Sequence, residues 1–108
     1  MTIQILHYEF LGPISLDEWG PPMGKVVFVI LSRIKDFFKI LYIDHLDKTT
    51  STDFFTKHEK FKCWNNHGGS EKNLYLSIYP MENSDENERK ILVNKAIKQY
   101  KPVCNLEN

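Results

Sequence analysis

Tyr42, Asp44 and His45 close the run FFKILYIDHLD, Phe37 to Asp47, where an apolar stretch ends abruptly on an acid and an imidazole. With Lys57 they offer a phenol, a carboxylate, an imidazole and an amine, a set able to hold a metal or carry out acid–base chemistry. Side-chain alternation along a strand divides the set. Tyr42 and Asp44 share one face, and His45 points to the other. The plainer expectation is that Asp44 caps a turn and His45 is solvated.

A second constellation is His58, Cys63 and His67, with Cys104 as a fourth member if the C-terminus folds back. Imidazole and thiolate suit tetrahedral zinc, but H-x4-C-x3-H is not a standard zinc signature. A cysteine beside Trp64 is better expected as a small buried side chain. Phe54, Phe55, Phe61 and Trp64 could stack on single-stranded bases, with KHEKFK supplying intermittent charge. Because seven phenylalanines must also build a core, these aromatics are assigned to it.

The elements that would position these groups follow from periodicity. IQILHYEF suggests a first strand near Ile3–Phe10, and the Gly- and Pro-rich stretch from Gly12 to Gly24 a connecting loop whose Trp19 covers an end of the core. KVVFVILSR is an unbroken apolar run, as expected of a central strand covered on both faces, and FFKILYID is its hairpin neighbour. The cluster KTTSTD offers helix caps, and Phe54, Phe55, His58, Phe61 and Trp64 approximate helical spacing. NLYLSIYP alternates cleanly, with Leu74, Leu76 and Ile78 on one face. The last element, capped by Asn83 or Ser84, places acids early and lysines late, in accord with the helix macrodipole. Its apolar stripe is Leu92, Val93, Ala96, Ile97 and Tyr100, and Pro102 ends it. The expected fold class is α+β, an α/β sandwich with a small, mainly antiparallel three-stranded sheet flanked by helices. The whole chain, 1–108, is read as one domain.

Composition narrows the functional classes. Fourteen basic residues balance fourteen acidic ones, so the charge surplus usual in a nucleic-acid binder is missing. No segment approaches the roughly 18 apolar residues of a membrane span, and no basic segment leads into an apolar run as in a secretory signal. Two cysteines are too few and too far apart for a disulfide framework. A cytoplasmic protein with reduced thiols is the expectation.

VVFVIL, LYIDHLDKT and DFFTKH together resemble the paired strands and following helix of the GIY-YIG endonuclease domain, and IKQYKPVCN resembles its closing I-x-x-Y-x-P-x-x-N segment. The likeness covers residues 24–105, leaving 1–23 as an N-terminal strand and loop. It implies a three-stranded antiparallel sheet with helices and a metal-dependent phosphodiesterase site. In such a site a metal and an arginine neutralise charge on phosphate oxygens while a base prepares water. Residue by residue, the resemblance implies a weakened site. Phe28 stands at the first tyrosine position and Tyr42 at the second. Asp44 replaces a glycine where backbone approaches phosphate, adding bulk and repulsive charge. Lys57 takes the arginine position without the bidentate fork. Val93 takes the metal-binding glutamate position, and an isopropyl group offers no oxygen to a hard cation. The implied function is a degenerate domain without the family's cleavage, binding DNA, RNA or a protein, with Tyr42 and Lys57 as vestigial catalytic residues. No cofactor is expected. The alternative is a divergent endonuclease using Mg or Mn, rebuilt around Tyr42, Asp44 and Lys57, with Glu59 or Glu71 as acids that could converge in space.

Overall fold

The computed structural model describes residues 2–19, 24–49 and 53–106. These form a five-stranded antiparallel sheet in the order β1-β2-β5-β3-β4, with helices on both faces. The strands are β1 (Thr2–Ile5), β2 (Tyr8–Ser15), β3 (Val26–Ile34), β4 (Phe37–Leu46) and β5 (Leu74–Pro80). The helices are α1 (Phe61–Gly68), α2 (Glu86–Tyr100) and the short α3 (Val103–Leu106).

The expected β3, β4 and β5 are present, β3 lies between the other two, and its residues from Val26 to Ser32 are all buried. Alternation sends Phe28 and Ile30 into one core and Val27, Val29 and Leu31 into another. The first core lies under α1 and the segment before it, the second under α2. Ile3 and Ile5 of one edge strand share the α2-side core with Phe38 and Ile40 of the other, so the sheet curls around α2.

Several expectations change. The sheet has five strands rather than three, because the N-terminal stretch joins it, and the part expected as one strand over Ile3–Phe10 is a hairpin, β1 and β2. Its turn, Leu6-His7, contains no Gly, Asn or Pro. Leu6 adopts φ 58°, and its N–H donates to the Tyr100 hydroxyl at 2.8 Å, a partner from the far end of the chain. The expected loop from Gly12 begins late, since β2 continues to Ser15. Gly12, at φ 102°, sits where the β2–β5 register shifts, and a Cβ there would meet the Leu76 carbonyl oxygen at 2.8 Å. Trp19 packs edge-on against Phe55, as its covering role requires.

The helical spacing of Phe54 to Trp64 yields a helix only from Phe61. Before it the chain makes separate turns, and the Lys60 N–H donates to the His58 ring Nδ1 at 3.0 Å instead of a carbonyl one turn back. Of the expected cap cluster, Thr50, Ser51 and Thr52 lie outside the described residues. Helix α2 is capped one residue later than expected, by an Asp85–Glu88 capping box. Ser84 is engaged elsewhere, donating to the Met81 carbonyl and accepting from Arg89.

The cysteines bring the largest correction. Cys63 and Cys104 form a disulfide, with Cα atoms 5.9 Å apart. Reduced thiols were expected from a separation of 41 residues. Past Pro102 the chain turns back beneath α1 and delivers Cys104, fully buried, into the α1-side core. Among the described residues no helix is long and apolar enough to cross a membrane.

Candidate functional site

Strand β4 carries Tyr42 and Asp44 on the α1 side, as alternation requires. The Tyr42 hydroxyl donates to Asp44 Oδ2 at 2.9 Å, and Asp44 Oδ1 accepts the His45 N–H at 2.8 Å. Asp44 therefore holds groups within its own strand rather than capping a turn. Around the phenol stand His58 and Trp64, each with its ring centroid 5.5 Å from that of Tyr42, and Phe28 at 6.2 Å. Phe55 and Trp64 are buried, Phe54 and Phe61 half-buried, and all four pack into this same aromatic group. They are core side chains, turned toward one another.

Burial pushes the Tyr42 phenol well above its usual range, and the Asp44 charge, the hydrogen bond to Asp44 and the Glu59 charge add to the effect. A phenol so placed is a donor, not a ready base. Burial also lowers the His58 imidazole below its ordinary value, against the opposing pull of Asp44 and Glu59. These shifts fix the pH response. The unfolded chain binds the His58 proton more readily, so the stability associated with a neutral His58 is complete above about pH 6.5 and falls as the solution is acidified. For Tyr42 the folded state holds its proton longer, so that contribution declines as pH rises beyond about 10. Thermal melts across pH should show both flanks, and His58→Gln should flatten the acid flank. An acid flank of unchanged slope in that variant would refute the assignment.

Lys57 is not brought to this site. It is exposed and pairs with Asp53 at 2.8 Å, one helical turn back in sequence. Glu59 approaches closely enough for its charge to act on Tyr42 and His58. Glu71 instead lines a hollow with Asp17 and Trp19, away from Tyr42.

His45 projects to the opposite face, as expected, but it is half-buried rather than solvated. Its Nδ1 accepts from Arg89 Nε at 3.4 Å. Arg89, only 1% exposed, also donates to the Ser84 carbonyl at 3.2 Å, to Ser84 Oγ at 3.0 Å and to Asp47. This buried guanidinium clamps the start of α2 to the end of β4. The sequence carries a signal for it: Arg89, Leu92, Val93 and Ala96 fall at i, i+3, i+4 and i+7, which puts the arginine on the buried stripe.

Val93 belongs to that second core, beside Val27, Val29 and Ile43. The position set by resemblance for a metal-binding acid and the surviving Tyr42 thus occupy opposite faces of the sheet. Tyr42 and Val93 therefore belong to separate cores. The proposed zinc ligands fare similarly, since both sulfurs are committed to the disulfide. Among the described residues no group of three or more His, Cys, Asp or Glu side chains is arranged to hold a metal.

In the sequence Asn105 is only the last residue of the Y-x-P-x-x-N segment. It proves to be a strand substitute. Its Oδ1 accepts the Ile43 N–H and its Nδ2 donates to the Ile43 carbonyl, both at 2.8 Å, so one side-chain amide pairs with the outer edge of β4. Compared with protein-family models, with curated proteins and with solved structures, the chain matches none.

Proposed function

We propose that the chain is a degenerate GIY-YIG-like domain that lacks metal-dependent phosphodiester cleavage and serves as a binding module. In this reading the contiguous strands β4-β3-β5, with α1 and α2, are the family's three-stranded core. The N-terminal hairpin is an extension of it. The observation that carries the absence of cleavage is that Tyr42 and Val93, which a working site of this kind would bring together, lie on opposite faces of the sheet. Tyr42 lies under α1 with its hydroxyl bonded to Asp44, and Val93 lies under α2 among aliphatic side chains. A nucleophile-preparing group and a cation holder must reach one phosphate together. Phe28 and Lys57 add to the case, one lacking a hydroxyl and the other pairing with Asp53 at the surface.

The alternative, an endonuclease rebuilt with Mg or Mn around Tyr42, Asp44 and Lys57, draws on the Tyr42–Asp44 contact alone. Incubating the protein with branched, single-stranded and duplex DNA in either metal separates the two. No cleavage above background is expected, with Tyr42→Phe indistinguishable from the parent. Cleavage abolished by Tyr42→Phe would establish the alternative. Binding to these DNAs without cutting, weakening steeply with salt, would identify phosphate as the target. Its absence would point to a protein partner.

A further inference from the structure

Among the described residues, the outer edge of β4 is covered in one half and open in the other. At Ile43 the Asn105 amide supplies the pairing that a neighbouring strand would give. Toward the hairpin the edge is open. The two-residue turn closes on the pair Ile34–Phe37, so Arg33–Phe38 and Leu31–Ile40 are the wide pairs of the ladder. An independent bond agrees: the Arg33 carbonyl accepts from Asn73 Nδ2 at 3.0 Å and therefore faces away from β4. The peptide groups of Phe38 and Ile40 must then point outward, and β4 has no strand beyond it in the sheet. Among the described residues no backbone group bonds them.

Phe38, Lys39 and Ile40 of this stretch help to line a groove of about 410 Å³. Ile3 and Ile5 of the opposite sheet edge, together with Phe38 and Ile40, are apolar parts of its wall, and Lys39 and Lys101 are the cations of this edge. Phe38 and Ile40 face the α2-side core, and Lys39 projects from the other face of the strand. An added strand would set every second side chain against Phe38 and Ile40, and the intervening ones beside Lys39.

We propose that the Phe38–Ile40 edge of β4 takes an extended segment of a partner protein as an added strand, one that alternates apolar and acidic residues. Backbone pairing supplies affinity in this mode, and alternate side chains supply selectivity. The seated Asn105 amide is the internal precedent, because this edge already holds a peptide-like group in strand register. Charge selects against a second copy of the chain, since an antiparallel pairing centred on Lys39 would oppose two lysines. The proposal rests on the binding-module reading and names its partner class. Because the peptide and the DNA are tested separately, the failure of one leaves the other standing.

The test is a titration with a capped octapeptide of alternating valine and glutamate, followed by amide NMR and hydrogen exchange. Phe38 and Ile40 should shift and exchange more slowly, and the double variant Lys39→Glu, Lys101→Glu should bind about tenfold more weakly, the equivalent of about 1.4 kcal/mol. Both lysines are exposed, so the parent amide spectrum will report whether the variant is folded. A peptide N-methylated at every second residue, unable to pair along that edge, should not bind. Three results would overturn the proposal: no change at Phe38 and Ile40 at millimolar peptide, equal binding of the N-methylated peptide, or displacement of the peptide from these residues by an oligothymidylate.

Discussion

Trp64→Ala is expected to cost about 3–5 kcal/mol of unfolding free energy, a large share of what a chain of this size possesses. Trp64 is fully buried and touches Tyr42, Phe55, His58 and Phe61 through its ring. Removing the indole leaves a cavity between α1 and the sheet that rigid β3 and β4 cannot close. The lost dispersion contacts and the void therefore add. Urea denaturation followed by far-UV circular dichroism measures the effect, with Phe61→Ala as a rim control of smaller cost because Phe61 is only half-buried. A loss below about 1 kcal/mol for Trp64→Ala would mean that the aromatic group is not the centre of this core.

Removing the disulfide should have an effect of similar size. Cys63 and Cys104 close a loop of 41 residues, for which constraint of the unfolded chain contributes about 4 kcal/mol, with measured cases commonly about 2–4. The variant Cys63→Ala, Cys104→Ala should therefore unfold at markedly lower denaturant, and reductant should bring the parent to a similar midpoint while leaving the variant unmoved. A local consequence distinguishes this from general weakening. Cys104 neighbours Asn105, whose amide covers Ile43. Loosening α3 should speed hydrogen exchange at Ile43 more than at Val29 in the centre of β3. A parent midpoint indifferent to reductant would overturn the prediction.

The lysine distribution of α2 illustrates how far local rules reach. Acids in its first turns and lysines toward its end follow from the macrodipole, and the helix lies within one residue of the start expected from its cap and ends before Pro102. The same is true of β3, β4 and β5, whose apolar run and alternation predict both their existence and their faces. Tyr42 and Asp44 were legible as a same-face pair for that reason, and His45 as their opposite. The hydrogen bond between phenol and carboxylate is not among those expectations, since Asp44 was expected to cap a turn.

Other features depended on distant partners. The turn at Leu6 has no sequence mark, because its left-handed residue is a leucine stabilised by Tyr100 from the end of α2. In the turns before α1, where spacing suggested a longer helix, a histidine ring accepts a backbone donor. Arg89 could be placed on a buried stripe by spacing alone, but two of its companions, His45 and Asp47, come from the end of β4, more than forty residues earlier in the chain.

By itself the sequence determined an α+β domain, the strands and faces at its centre, and a long capped helix, since those follow from the pattern of neighbouring residues. Tertiary structure alone decided which side of the sheet each helix covers. It thereby separated Tyr42 from Val93, joined Cys63 to Cys104 and closed half of an edge strand with Asn105. Such juxtapositions depend on the path of the chain between elements, and no local spacing specifies that path.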